Sequence, residues 1–375
     1  MWYYHIRKIF TTDKIMHEIK KRNMLQLAEY QKELRLHPQL TYLFFELTDC
    51  CNLNCLHCGS GCSAKNRKYQ DFKLIKKTLE EVASKYDPTK IMICTSGGEP
   101  LLYPKLSEVI SLAHSLHFRN GITSNGILIT EQKAYELIKA GLNTAAISID
   151  GLMDSHEQLR NTKGCFNKAL EGVYNLRKFG IAPQAVSVIH KNNIHELQDI
   201  YNFLSSENFT SWRLVNIEPI GRTNENKQLL LSANELKTML QFIQKKRFDS
   251  KNSMDVTFGC SHFLTYEFEH NVRDFYFQCG AGTKVASILV NGDIAACLDI
   301  ERRAELIQGN VSKDSFIDVW EDKFEIFRND RTINSRNCGN CEYRTVCQGD
   351  SMHTWDFENQ EPNYCFVKLM EEENL

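Results

Sequence analysis

Three cysteines in the stretch DCCNLNCLHC, Cys51, Cys55 and Cys58, stand in the spacing CxxxCxxC. Three thiolates this close can ligate three irons of a 4Fe-4S cube and leave the fourth iron free of protein ligands, open to a small molecule and to redox chemistry. The register is unique, because Cys50 has the wrong gap to Cys55 and a frame through Cys62 would need a cysteine at Lys65. Further on, TSGGEP places Gly97, Gly98, Glu99 and Pro100 at the end of an apolar run. Two glycines let a backbone approach a ligand closely, and the carboxylate after them can accept from an ammonium group. Taken alone, the same turn is simply a tight strand-to-helix connection. A second group of cysteines lies near the C-terminus: Cys279 and Cys297 bracket Gly292 as C…GxxxxC, Cys338, Cys341 and Cys347 form CxxCxxxxxC, and Cys365 follows. By spacing alone this group fits a structural zinc site as well as an iron-sulfur cluster.

The elements that must position these groups read as repeated βα units. Strand-like runs fall at Tyr42 to Thr48, Ile91 to Thr95, Phe118 to Ser124, Thr144 to Asp150, Gln184 to Ile189 and Trp212 to Ile217. A helix follows each one. DFKLIKKTLEEVASKY puts Phe72, Ile75, Leu79, Val82, Ala83 and Tyr86 on one stripe, and later helices centre on Leu106 to Leu116, Glu131 to Ala140, Phe166 to Phe179, Ile194 to Ser206 and Ala233 to Lys246. Six such units predict an α/β fold, a partial (βα)6 TIM-type barrel with a C-terminal cysteine-rich domain. In that fold reactive groups sit at the C-terminal ends of the strands, where both CxxxCxxC and GGEP fall. The expected division is an N-terminal helical extension over 1–40, the barrel over 41–222, a helical linker over 223–258 and the cysteine-rich module over 259–375. The extension contains an amphipathic helix with Ile15, Ile19, Leu27 and Leu34. It is expected to pack against the open edge of the barrel rather than to dock substrate, and it is too short for a complete peptide-binding domain.

With 375 residues, 42% of them apolar, the chain can fill such cores. A net charge of -2 marks no nucleic-acid or anionic-membrane surface. The opening MWYYHIRKIFTTDK lacks the apolar core of a signal peptide, and no apolar stretch reaches membrane-spanning length, so the expected location is the cytoplasm. Fourteen cysteines in that reducing compartment point to metal or cluster ligation rather than disulfides. Cys50, Cys62, Cys94 and Cys165 match no spacing and read as incidental thiols.

CxxxCxxC after the first strand and GGEP after the second together resemble the radical S-adenosylmethionine (SAM) superfamily. Further matches fall in order: TSNG at Thr123 to Gly126, SIDG at Ser148 to Gly151, HEQLR ending at Arg160, VIHKNN at Val188 to Asn193 and WRLVNIEPIGR at Trp212 to Arg222. The resemblance implies that the amino and carboxylate groups of SAM chelate the open iron. An electron from the reduced cluster then cleaves the sulfur to C5' bond, and the 5'-deoxyadenosyl radical removes hydrogen from an unactivated carbon. It further implies that Gly97, Gly98, Glu99 and Pro100 hold the SAM ammonium and that Ser148 and Arg160 serve its carboxylate and ribose. His57 takes the place of the family's aromatic residue before the third cysteine and can stack on adenine. Without the resemblance, Arg160 reads equally as a surface salt-bridge residue and His57 as a packed or solvated side chain.

The distal cysteines resemble the SPASM extension of radical SAM enzymes, which implies auxiliary iron-sulfur clusters and a peptide or protein substrate. By that analogy Cys338, Cys341, Cys347 and Cys365 make one complete cluster. The pattern is broken at Ser351, where a further cysteine belongs. Cys279, Cys297 and Cys260 remain for the other cluster, whose fourth ligand would be Ser351, Asp350, His353, a substrate group or nothing. The expectation is that this cluster persists with an open or non-cysteine position. The resemblance thus implies a maturase that forms a thioether or carbon-carbon crosslink, or epimerises a residue, in a ribosomally made peptide, fed by a low-potential donor such as flavodoxin or ferredoxin. The alternatives are an anaerobic sulfatase-maturing (formylglycine-generating) enzyme, against which Ser351 weighs, and a non-catalytic iron-sulfur or zinc scaffold.

Overall fold

Short apolar runs, each followed by a capped amphipathic helix, build the molecule. The computed structural model describes residues 13–259 and 262–372. Strands β1 (Tyr42–Glu46), β2 (Met92–Ser96), β3 (Arg119–Ser124), β4 (Thr144–Ser148), β5 (Gln184–Ile189) and β6 (Ser211–Asn216) pair in sequence order, all parallel. Each lies within two residues of its expected position. Helices α2 (Phe72–Lys85), α3 (Leu106–Ser115), α4 (Glu131–Lys139), α5 (Met153–Arg160), α6 (Cys165–Lys178), α7 (Leu197–Ser206) and α8 (Ala233–Phe248) run between and after them, while α1 (Asp13–Leu36) precedes the sheet. Asp71 caps α2 by accepting from the Lys73 amide, Thr130 does the same for α4, and Ser232 with Glu235 forms a capping box on α8. The strands' Leu43, Phe45, Ile93, Ile147 and Trp212 meet the helices' Leu79, Val109, Leu137, Val173 and Leu240, all fully buried in one core. Each such side chain contributes about 1.5–3 kcal/mol on burial.

The sheet runs further than six strands. The segment expected to be a helical linker contributes β7 (Asp255–Phe258), which pairs parallel to β6 after α8. At the other edge β8 (Val285–Ile288) pairs parallel to β1 and continues antiparallel into β9 (Asp293–Ala295) and β10 (Gly309–Asn310). Gly292 of the C…GxxxxC spacing forms the β8–β9 turn at φ +87°, a left-handed conformation that favours glycine.

Because β8 satisfies the hydrogen-bonding edge of β1, α1 does not cover the barrel's open edge as expected. It lies on the C-terminal module instead. Its Met24 joins Phe263, Phe277, Val346 and Val367 in a buried cluster, Lys20 Nζ donates to the carbonyls of Tyr266 and Glu267 at 3.1 Å, and Arg35 donates to Gln348. Of the expected apolar positions Leu34 is buried and Ile19 and Leu27 are half-buried, while the Ile15 side chain lies outside the described ones. Among the described residues no helix is long and apolar enough to cross a membrane.

Candidate active site

The loop after β1 carries Cys51 and Cys55, both buried, and the half-buried Cys58; they pack with Leu53, Cys62, Cys165 and Ile127. Having little regular structure of its own, the loop is pinned from elsewhere. Leu56 N donates to Leu159 O on α5 at 2.9 Å. Arg222, beyond β6, donates from Nε to Cys55 O (2.7 Å), from Nη1 to Cys62 O (3.1 Å) and from its amide to Cys58 O (3.1 Å). A Cβ on Gly221 would stand 2.4 Å from the Cys58 carbonyl oxygen, so only glycine lets the two loops meet. Burial pushes the Cys51 thiol up to about 12. A thiolate there requires compensating positive charge, which iron supplies, so the residues present fit a cluster. Among the described residues no three His, Cys, Asp or Glu side chains are gathered tightly enough for a single metal ion. The separate corners of a cube need a wider spread.

GGEP presses against this loop. Cβ atoms on Gly97 and Gly98 would lie 2.4 Å from Thr48 O and 2.2 Å from Cys50 O, while Gly98 N donates to Thr48 O (2.7 Å) and Glu99 N to Cys50 O (2.9 Å). The glycines therefore serve contact between the two βα loops. Glu99 is buried, which pushes its carboxyl up, and it accepts from Ser124 Oγ (2.8 Å), Asn125 N (2.9 Å) and Leu101 N (3.2 Å). Three of about four acceptor positions are thus filled by protein, with one left for an ammonium group. Pro100 opens the short 3-10 turn Pro100–Leu102.

Ser148 ends β4, half-buried. Beyond it Asp150, fully buried, accepts from Arg160 Nε at 2.5 Å and from Val188 N at 3.0 Å. Burial alone would raise Asp150, but Arg160, His156 and His57 hold it well below the usual carboxylate range. Arg160 is itself buried and also points Nη1 at the Cys55 sulfur, 3.6 Å away, so it is no surface salt-bridge residue. Burial and the neighbouring Arg160 hold His57 down to about 3; the ring is neutral, with Nδ1 buried and unpartnered. Three residues of this assembly escaped the sequence reading: Asp150, Arg222 and Asn125, which donates to Asn52 Oδ1 at 2.8 Å. The SIDG, TSNG and EPIGR matches contained them, but nothing in those strings says which side chain turns inward.

In the C-terminal module Cys338, Cys341, Cys347 and Cys365 line one cavity of about 450 Å3. The short helices Arg336–Gly339 and Arg344–Cys347 carry Cys338 and Cys347, Cys341 lies in the turn between them, and Ser335 Oγ accepts from Cys338 N at 2.9 Å. Burial pushes the Cys347 thiol well up and Cys365 up to about 11. Cys279 lines a separate small cleft with Arg331 and Cys347, and Cys297 follows β9. Cys260 lies outside the described residues. Ser351 is buried, and its neighbours Asp350 and His353 are engaged elsewhere: Asp350 with His262 (2.9 Å) and Phe263 N (2.8 Å), His353 with Glu218 (2.5 Å). A cavity of about 720 Å3 opens between Gly59–Gly61 of the cysteine loop, Arg222, Asp299 and His353.

Against known families, residues 45–204 match the Radical SAM superfamily and residues 279–342 match the SPASM iron-sulfur cluster-binding domain. The chain belongs to the radical SAM superfamily and carries a C-terminal SPASM domain. It is an enzyme, and its cofactors are SAM, the 4Fe-4S cluster that binds SAM, and one or two auxiliary iron-sulfur clusters. Among its relatives are the AdoMet-dependent heme synthase of Methanosarcina barkeri, 27% identical over 344 residues (86% of this chain, 95% of the relative), and the mycofactocin maturase MftC of Mycobacterium tuberculosis, 28% identical over 316 residues (83% and 78%). The fold is shared with Streptococcus suis SuiB bound to its precursor peptide SuiA (TM-score 0.71, 17% identity, 92% of this chain and 78% of that one). It is also shared with anSMEcpe bound to AdoMet and a peptide (TM-score 0.70, 16% identity, 89% and 96%).

Proposed function

We propose that this enzyme is a maturase of a ribosomally made peptide, in which it forms a thioether or carbon-carbon crosslink or epimerises a residue. The observation that supports the reading is the cavity of about 720 Å3 where the SPASM module meets the cysteine loop, walled by both. The mycofactocin maturase relatives agree with it. When bound, the cluster and SAM supply a 5'-deoxyadenosyl radical that takes hydrogen from an unactivated carbon. Cys51, Cys55 and Cys58 would hold three irons, and Gly97, Gly98, Glu99 and Pro100 would hold the SAM ammonium through the last acceptor position of Glu99. Arg160, kept charged by Asp150, would serve the SAM carboxylate and Ser148 its ribose, and the neutral ring of His57 would stack on adenine. Arg222 keeps the loop that carries the cysteines in place, and the burial of Cys51, Cys55, Glu99 and Arg160 excludes water from their side of the site. The electron comes from a low-potential protein such as flavodoxin or ferredoxin, in the cytoplasm.

The test is anaerobic incubation of reconstituted enzyme with SAM, dithionite and the peptide encoded by a short reading frame beside its gene. The expected result is 5'-deoxyadenosine together with loss of two hydrogens from the peptide, or deuterium uptake from heavy water at one α-carbon. Abundant SAM cleavage with an unchanged peptide would overturn the maturase reading. The heme synthase relative of Methanosarcina barkeri, matched over 95% of its length, favours a second reading, a heme-forming reaction. Conversion of an added heme precursor to heme would decide for it.

A further inference from the structure

Seven cysteines follow residue 259: Cys260, Cys279, Cys297, Cys338, Cys341, Cys347 and Cys365. Two fully ligated cubes need eight ligands, four each. Four of the seven line a common cavity, so the other cube would have to draw a donor from the stretch after Cys347, where Ser351 stands. The structure commits the donors on both sides of that serine. Asp350, held in a left-handed conformation (φ +63°), accepts from His262 Nδ1 at Oδ2 (2.9 Å) and from the Phe263 amide at Oδ1 (2.8 Å), and its carbonyl accepts from Arg331. His262 Nε2 meets Glu218 Oε1 at 2.9 Å, and the other oxygen of Glu218 takes His353 Nε2 at 2.5 Å.

His262, Glu218 and Asp350 are all buried, and the His353 side chain is 11% exposed. Each nitrogen of His262 faces a carboxylate, so both donate and the ring is a cation. One of the two carboxylate charges balances His262, and His353, on the other oxygen of Glu218, balances the second. Withdrawing Asp350 or His353 to bind iron would strand a buried charge, the case in which breaking an ion pair is most costly. The network also joins three parts of the chain: Glu218 just beyond β6, His262 beyond β7, and Asp350 and His353 in the C-terminal module.

We propose that this chain carries a single auxiliary 4Fe-4S cluster, held by Cys338, Cys341, Cys347 and Cys365. The buried Glu218–His262–Asp350–His353 network replaces the second cluster as the joint between barrel and SPASM module. Cys260, Cys279 and Cys297 are then not cluster ligands, contrary to the sequence expectation of a persisting first auxiliary cluster.

The test is iron and acid-labile sulfide analysis of the full-length protein after anaerobic reconstitution. About eight irons per chain are expected, falling to about four in Cys338→Ala/Cys341→Ala and staying at about eight in Cys260→Ala/Cys279→Ala/Cys297→Ala. About twelve irons, or loss of iron in the second variant, would overturn the proposal, as would about four irons in the unsubstituted protein. A readout that needs no variant is the electron paramagnetic resonance spectrum of the reduced wild-type protein. It should contain two cluster signals, one of them shifted by SAM, and a third signal contradicts the assignment. No peptide enters either measurement, so its failure is distinct from failure of the maturase reading.

Discussion

Arg160 donates to Asp150 at 2.5 Å while its other arm reaches the Cys55 sulfur, so one side chain ties the end of β4 to the cysteine loop. Replacing it by methionine strands the buried Asp150 carboxylate, and calorimetry should show a loss of about 3–5 kcal/mol together with weakened SAM binding. Arg160→Lys should recover part of the stability, because a charge returns without the planar fork. At Gly98 the constraint is steric: alanine would put a Cβ 2.2 Å from the Cys50 carbonyl oxygen. Gly98→Ala should cost about 1–3 kcal/mol and reduce iron held at the N-terminal cluster, read by denaturation and by iron assay. Cys51, Cys55, Cys58 and the GGEP glycines were legible in the sequence because their spacing is local. Asp150 and Arg222 were not, since their roles arise from contacts with Arg160 and with Cys55 on other loops.

Among the elements, the six central strands and their helices could be read directly, because each strand is a run of apolar residues and each helix keeps one apolar stripe. β7 and β8, only four residues each, are too short to show a period, and finding them required knowing which edges of the sheet lie open. The amphipathic stripe of α1 is visible in the sequence, but a stripe does not say which partner it meets, and here it meets the C-terminal module. Met24→Ala should therefore cost about 2–4 kcal/mol and raise hydrogen exchange in the C-terminal module around Phe263 and Val346 rather than in β1. The joint between modules should carry a pH signature. Burial opposes the charge on both histidines, but Asp350 and Glu218 outweigh it at His262 and raise it from 6.5 to about 10, and Glu218 with Asp299 outweighs it at His353 and raises it from 6.5 to about 9. Their stabilisation is complete below pH 6.5 and is lost as pH rises through those values. Glu218, held below its usual 4.5 by the same histidines despite burial, stabilises above that pH and loses its contribution on further acidification. Thermal midpoints should therefore fall on the alkaline side, and His262→Gln should flatten that limb; an unchanged limb would remove His262 from the joint.

At the scale of the molecule, a parallel sheet places CxxxCxxC, GGEP and the β4 loop at one end, and the SPASM module meets that end beside the cysteine loop. The two modules were visible in the sequence through two separate cysteine spacings. Their joint was invisible, since Glu218, His262, Asp350 and His353 share no spacing and meet only when the chain folds. The whole arrangement has chemical meaning only if the N-terminal cluster cleaves SAM. The most direct measurement is the yield of 5'-deoxyadenosine from anaerobically reconstituted, dithionite-reduced enzyme, beside Cys51→Ala/Cys55→Ala/Cys58→Ala. The account predicts cleavage by the wild-type chain and none by the variant. Absence of cleavage in cluster-replete wild-type protein, or its persistence in the variant, would contradict it.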